Sequence, residues 1–125
     1  MDRIDNDRPF IPVGIAVVTI SDTRELKDDR SGDALAERLL ADNHRLVERT
    51  IVKDDKVLIA DTVASFAARE DIDVVLTTGG TGFTGRDVTP EAVEPLIDKR
   101  MDGFSIAFHM ASHGKIGTST IQSRA

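Results

Sequence analysis

The chain has 125 residues, 40% of them hydrophobic, which is enough material for one domain with a real core. Its net charge of −6, with no Trp or Tyr and only five Phe, lacks the basic stripe and stacking platform of a nucleic-acid-binding protein, so no nucleic-acid partner is expected. The absence of Cys excludes disulfides, thiolate metal sites and Cys nucleophiles. With no spanning apolar run and no signal peptide, the expected setting is cytoplasmic, with no membrane partner.

Residues 1–13 read as an N-terminal arm, polar, mixed in charge and interrupted by Pro9 and Pro12. The arm is either loose or a strap on a neighbouring subunit. Residues 14–21 (GIAVVTIS) form a nearly continuous β-branched run, which fits a strand buried on both faces. A polar stretch over 22–32 turns the chain into a helix over 33–40, with apolar positions at Ala34, Leu35, Leu39 and Leu40. Residues 46–52 read as a second strand. Val57, Leu58, Ala60, Val63, Ala64 and Ala67 repeat the helical period over 57–68. Residues 74–76, extended by threonines, predict a short buried strand. A helix over 90–97 follows, with Thr89 as N-cap and Pro90 at its first position. Further helices are expected over 103–113 and from residue 119 onward.

This alternation implies an α/β fold, a parallel sheet covered by helices on both faces, with a ligand at the carboxyl ends of the strands. The strand order cannot be read from it. Residues 77–92, TTGGTGFTGRDVTPEA, lie at such an end. Gly80, Gly82 and Gly85 match G-x-G-x-x-G, but the loop follows the third strand and its helix starts too late for a dinucleotide site. The P-loop spacing fails as well, because Arg86-Asp87 stands where Lys-Ser/Thr is required. What remains is an anion cradle: Gly79, Gly80 and Gly82 allow close backbone approach, and Thr77, Thr78, Thr81 and Thr84 add hydroxyls. Asp87 is either a cap for the following helix or, with phosphate oxygens, a ligand for Mg²⁺. Arg86 suits a phosphate contact. His109 and His113 share one helical face but lack a third ligand, so a surface or interface pair is the simpler reading. No Ser stands in a nucleophile elbow beside a His base.

The loop TTGGTGFTGRDVTPEA, with VVTISDTR at 17–24, Asp29-Arg-Ser-Gly32 and GTSTIQSRA at 117–125, resembles the MoaB/MogA family of molybdenum cofactor biosynthesis proteins, closer to the MoaB branch. The resemblance implies a three-layer α/β/α sandwich with a mostly parallel sheet, and adenylylation of molybdopterin with Mg²⁺ and ATP. It implies Asp54 and Asp87 as a catalytic, metal-binding carboxylate pair, with Asp55 a close rival of Asp54. Thr78, Gly79, Gly80, Thr81 and Gly82 would contact phosphate or nucleotide, and Ser112 and Ser123 would line the pterin side. Asp22 reads as a structural hydrogen-bonding residue. Family members continue past SRA into another strand, a Leu/Met-Pro-Gly loop and a final helix. A molybdopterin-binding domain over 14–125 lacking that C-terminal segment is therefore expected. A homotrimer or homohexamer is implied, with other pathway enzymes as partners. The alternative is a catalytically weak molybdopterin carrier or scaffold, and the Asp54/Asp87 pair discriminates between the two.

Overall fold

The computed structural model describes residues 7–116 and Arg124. Three strands, β1 (Gly14–Ile20), β2 (Arg45–Val52) and β3 (Val74–Thr78), form a parallel sheet in the order β2-β1-β3. Helices α1 (Arg30–Ala41), α2 (Lys56–Ala67), α3 (Thr89–Val93) and α4 (Asp102–Ile116) complete the described elements, with short 3-10 turns at Leu26–Asp28 and Glu94–Leu96.

β1 is the centre of the sheet, and all seven of its residues are buried. Its period-two alternation splits the core into two layers. Ile15 and Val17 pack with Leu35 and Leu39 of α1 on one face. Val18 and Ile20 meet Ile59 and Val63 of α2 and Ala92 of α3 on the other. That is the expected helix–sheet–helix sandwich. β2 lies on one side of β1 and β3 on the other, so the chain reverses direction across the sheet at the β1/β3 crevice. Ligand crevices of open α/β sheets lie at this switch point. The crevice is closed tightly at one place: Gly79 has φ +102°, and a Cβ there would lie 2.4 Å from the Ile20 carbonyl oxygen.

Several boundaries differ from the sequence expectation for identifiable reasons. α1 starts at Arg30, three residues early, because the Asp29 side chain caps it by accepting from the Gly32 N–H. It ends where Asn43 adopts φ +67° and the Asn43 and His44 amides bond back to Leu40 and Leu39. The helix expected over 90–97 is instead α3 plus a 3-10 turn, since Pro95 cannot supply the amide that would extend it. Thr89 is the first helical residue and not the N-cap, a position that Val88 holds without a side-chain bond. Among the described residues β3 lies at the edge of the sheet and is only partly buried, not the buried strand expected. α4 leaves Phe104, Ile106, Phe108 and Met110 exposed, with Phe104 and Phe108 stacked at 6.2 Å. The helix expected from residue 119 lies outside the described residues, Arg124 apart.

Candidate active site at the strand ends

Three chain segments converge where β1, β2 and β3 end. After β1, the Ser21 N–H still pairs with the Val52 carbonyl at 2.8 Å, which carries the sheet register into the loop. Asp22 follows. Its Oδ1 accepts from the Asp54 backbone N–H at 3.1 Å, and its Oδ2 pairs with Arg86. One carboxylate thus ties the end of β1 to the loops after β2 and β3, a more central place than a simple structural residue requires.

Asp54 and Asp55 divide the two roles that the sequence left between them. Asp55 caps α2, its Oδ1 accepting from the Val57 and Leu58 amides at 2.9 and 3.0 Å. Asp54 faces the glycine loop, where a Cβ on Gly80 would lie 3.5 Å from its Oδ1. Burial, and then the charge of Asp87, push the Asp54 carboxyl above its ordinary value.

Gly80 holds φ +72°, and a Cβ there would collide with the Thr89 hydroxyl at 2.2 Å. The Thr89 hydroxyl donates to the Gly79 carbonyl at 2.9 Å, and its N–H to the Gly80 carbonyl at 3.1 Å, pinning the loop to the start of α3. Gly82 lies under Asp87, whose Oδ2 would be 2.7 Å from a Gly82 Cβ. Asp87 is not a helix cap. Its Oδ2 accepts from the Thr84 N–H at 3.0 Å and from the Thr84 hydroxyl at 2.7 Å, closing a turn over 84–87. Those two bonds, with the nearby Arg124 charge, hold the Asp87 carboxyl below the usual range. The pair is therefore asymmetric: Asp87 is fixed as an anion, and Asp54 bears the repulsion.

Thr78 ends β3 opposite Thr19 of β1, and Thr81 and Gly82 present their carbonyls to Arg124. Arg86 pairs with Asp22 on the exposed rim of the loop. Ser112 is on α4, and no hydrogen bond joins it to the glycine loop among the described residues. Ser123 lies outside the described residues. Of the His109/His113 pair, His109 is edge-on to Phe108 at 5.8 Å, and its Nε2 is buried without a partner among the described residues. No group of three or more His, Asp or Glu gathers among the described residues as a self-sufficient metal site. The Asp54/Asp87 pair does fit a cation that takes its remaining ligands from phosphate and water, because Mg²⁺ is usually held by one or two carboxylates.

Sequence reasoning missed Arg124, whose guanidinium reaches Gly82, Asp87 and Glu91. It lies in the GTSTIQSRA segment that carries the resemblance, but its acceptors stand far away in the chain, so its contacts could not be read from that segment.

Beneath the site, Asp29 is fully buried and accepts from Thr19 Oγ1 at 2.7 Å, the Gly32 amide at 3.1 Å and Arg49 at 3.2 Å. Burial raises this carboxyl, but those three donors outweigh it and leave the value lowered.

A family model described as "Probable molybdopterin binding domain" matches residues 16–125. Molybdenum cofactor biosynthesis protein B of Escherichia coli (strain K12) is 45% identical over 116 residues, covering 93% of this chain and 68% of its own. The protein of the same name from Bacillus cereus is 50% identical over 110 residues, covering 87% of this chain and 65% of its own. The chain thus spans about two thirds of the length of the curated relatives it matches. A crystal structure of Molybdenum cofactor biosynthesis protein B aligns with a TM-score of 0.89 at 47% identity, over 94% of this chain and 74% of that one. The tungsten cofactor synthesizing protein MoaB from Pyrococcus furiosus aligns at 0.73 and 36% identity, over 89% and 69%. No described helix is long and apolar enough to cross a membrane.

Proposed function

We propose, since this chain belongs to the MoaB-type molybdopterin-binding domain family of molybdenum cofactor biosynthesis, that it adenylylates molybdopterin with Mg-ATP. In this reading a terminal phosphate oxygen of the pterin attacks the α-phosphorus of ATP. The bond from that phosphorus to the bridging oxygen breaks, and pyrophosphate leaves with the electron pair. The nucleophile is already an anion, so no strong base is needed. Catalysis then consists of positioning and charge neutralisation.

The observation that supports this reading best is the convergence of Asp54 and Asp87 around Gly80 and Gly82 at the β1/β3 switch point. Two carboxylates from different strand ends, one of them disfavoured as an anion by burial and then by the charge of the other, favour a cation beside them. Bound there, Mg²⁺ would neutralise phosphate charge. The chain's own groups do the rest: Gly79 and Gly80 let the loop backbone approach the phosphates, Thr78 and Thr81 flank it, and Asp22 holds the Asp54 backbone in place. The domain over 14–125, its cytoplasmic setting and its assembly as a trimer or hexamer belong to the same proposal. The exposed Phe104, Ile106, Phe108 and Met110 of α4 suit a subunit contact.

A specific observation favours a second reading, a molybdopterin carrier. Asp87 is engaged by Thr84, and Arg86 by Asp22, so both charged loop residues already have protein partners. Incubating the protein with molybdopterin, ATP and Mg²⁺ and measuring adenylyl-molybdopterin and pyrophosphate separates the two. The enzyme reading expects product from the wild type and its loss in Asp87→Ala with pterin affinity retained. A wild-type protein that binds the pterin but forms no product is a carrier.

A further inference from the structure

Arg124 organises the glycine loop from outside it. Its backbone N–H donates to the Thr81 carbonyl at 2.7 Å, Nε to the Gly82 carbonyl at 2.6 Å and Nη2 to the Asp87 carbonyl at 2.5 Å. Nη1 pairs with Glu91 in α3, and the guanidinium carbon lies 5.6 Å from the Phe83 ring centroid. The side chain is 24% exposed, so these are sheltered contacts and not a surface pairing. One residue therefore touches the loop at both ends and ties it to the helix that follows.

The geometry has a directional consequence. In a trans peptide the carbonyl and the next residue's N–H point to opposite sides. Turning the Thr81 and Gly82 carbonyls toward Arg124 therefore turns the Gly82 and Phe83 N–H groups away from it. Carbonyls collected on a cation leave amides collected on the opposite side, which is the polarity an anion requires. Arg is suited to this because its planar fork offers several fixed donors, whereas Lys offers a single rotating ammonium. The contact with Asp87 is to its backbone, so Arg124 fixes that residue without occupying its carboxylate.

We infer that Arg124 is a positioning residue, which sets the peptide orientations of Thr81–Phe83 so that the loop presents amides to a phosphate group, and which anchors Asp87 beside it. The ligand class rests on the phosphate-binding reading of this loop; the ordering of the loop does not. Mg-ATP is the probe, used with the full chain and its Arg124→Ala, Arg124→Lys and Glu91→Gln variants.

In Arg124→Ala and Arg124→Lys, the amides over 80–88 are expected to exchange with deuterium at least tenfold faster, while β1 amides keep their wild-type rates. Mg-ATP affinity falls tenfold or more in both, and low-millimolar guanidinium restores it in Arg124→Ala but not in Arg124→Lys. Glu91→Gln, which loosens the anchor from the helix side, gives a smaller change in the same direction. Wild-type exchange and affinity in Arg124→Lys overturn the proposal, because charge alone would then suffice. Unchanged loop exchange in Arg124→Ala overturns it as well. If Arg124→Ala does not fold, Arg124→Lys decides. A wild-type protein that binds no Mg-ATP counts against the phosphate reading, and the exchange measurement still decides the role of Arg124.

Discussion

The carboxylate of Asp22 accepts a hydrogen bond from the backbone N–H of Asp54 at 3.1 Å, so the residue after β1 fixes the main chain that bears the candidate metal-side carboxylate after β2. The other Asp22 oxygen pairs with Arg86, whose side chain is 71% exposed. An ion pair with so exposed a partner contributes about 0–1 kcal/mol. An amide left without an acceptor in a half-buried setting costs about 1–3 kcal/mol. The amide contact is thus the larger of the two.

Asp22→Ala is accordingly expected to lower stability by about 1–3 kcal/mol in urea unfolding, chiefly through the orphaned Asp54 amide. Asp22→Asn keeps an acceptor oxygen, and its loss should be under half of that. Equal losses in the two variants would show that the Arg86 pairing, and not the Asp54 amide, is what Asp22 supplies.

A second contrast concerns the buried carboxylate beneath the site. Arg49 is shared by Asp29, which is fully buried, and Asp33, whose side chain is 57% exposed. Asp29→Ala strands the Thr19 hydroxyl, the Gly32 amide and part of the Arg49 charge, and should cost about 3 kcal/mol or more. Asp33→Ala should cost about 0.5–1 kcal/mol. The contribution of Asp29 is fully present above its unfolded-state pKa and is lost as pH falls through its lowered folded value. Acid unfolding of Asp29→Asn should therefore lack that component. An unchanged urea midpoint in Asp29→Ala would contradict the ranking.

The elements that local chemistry defines were legible in the sequence. β1 announced itself as seven apolar or β-branched residues in a row, and all seven are buried. The glycine loop was legible because Gly79 and Gly80 need positive φ, which few other residues accept. The division between Asp54 and Asp55 was also available: an Asp before a helical run, with amides two and three residues on, is a cap signal, and Asp55 makes that cap. Relations set by distant chain were not legible. The order β2-β1-β3 depends on nonlocal pairing, and Arg124 meets acceptors at Gly82 and Asp87 from far along the chain. Neither pairing can be read from local spacing. The Asp22–Arg86 pair joins residues 64 apart for the same reason.

The three glycines of the G-x-G-x-x-G pattern are not equivalent. A Cβ on Gly80 would meet the Thr89 hydroxyl at 2.2 Å at φ +72°, whereas a Cβ on Gly85 meets nothing within 4 Å. Gly80→Ala is expected to cost about 2 kcal/mol or more and to abolish ligand binding, since both φ and space oppose it. Gly85→Ala should stay within about 0.5 kcal/mol of the wild type. Thermal unfolding of the two variants checks this, and a disruptive Gly85→Ala would mean that the third glycine has a role its open surroundings do not account for.

Asp54 gives a stability effect of the opposite sign to most carboxylates. Burial first, and then the Asp87 charge, raise its folded pKa above the unfolded value of about 3.9. Between the two values the folded chain holds more protons than the unfolded one, so stability falls as pH rises through that window. Above the folded value the penalty is complete. Asp29, Asp87 and Glu91 are lowered and act the other way, losing stability in acid. The difference between wild type and Asp54→Asn isolates the Asp54 component. Among the described residues nothing donates a hydrogen bond to its carboxylate, so the substitution removes charge at little cost in contacts. Asp54→Asn is expected to be more stable than wild type at pH 7, with the gain shrinking to zero below about pH 4. Mg²⁺ should narrow the same gap at pH 7 by stabilising the wild type and not the variant, since only the wild type keeps the pair of carboxylates. Urea unfolding between pH 3 and 8, with and without Mg²⁺, measures both. An Asp54→Asn variant less stable than wild type at pH 7 would mean that the Asp54 carboxylate is held by favourable contacts and is not strained against Asp87.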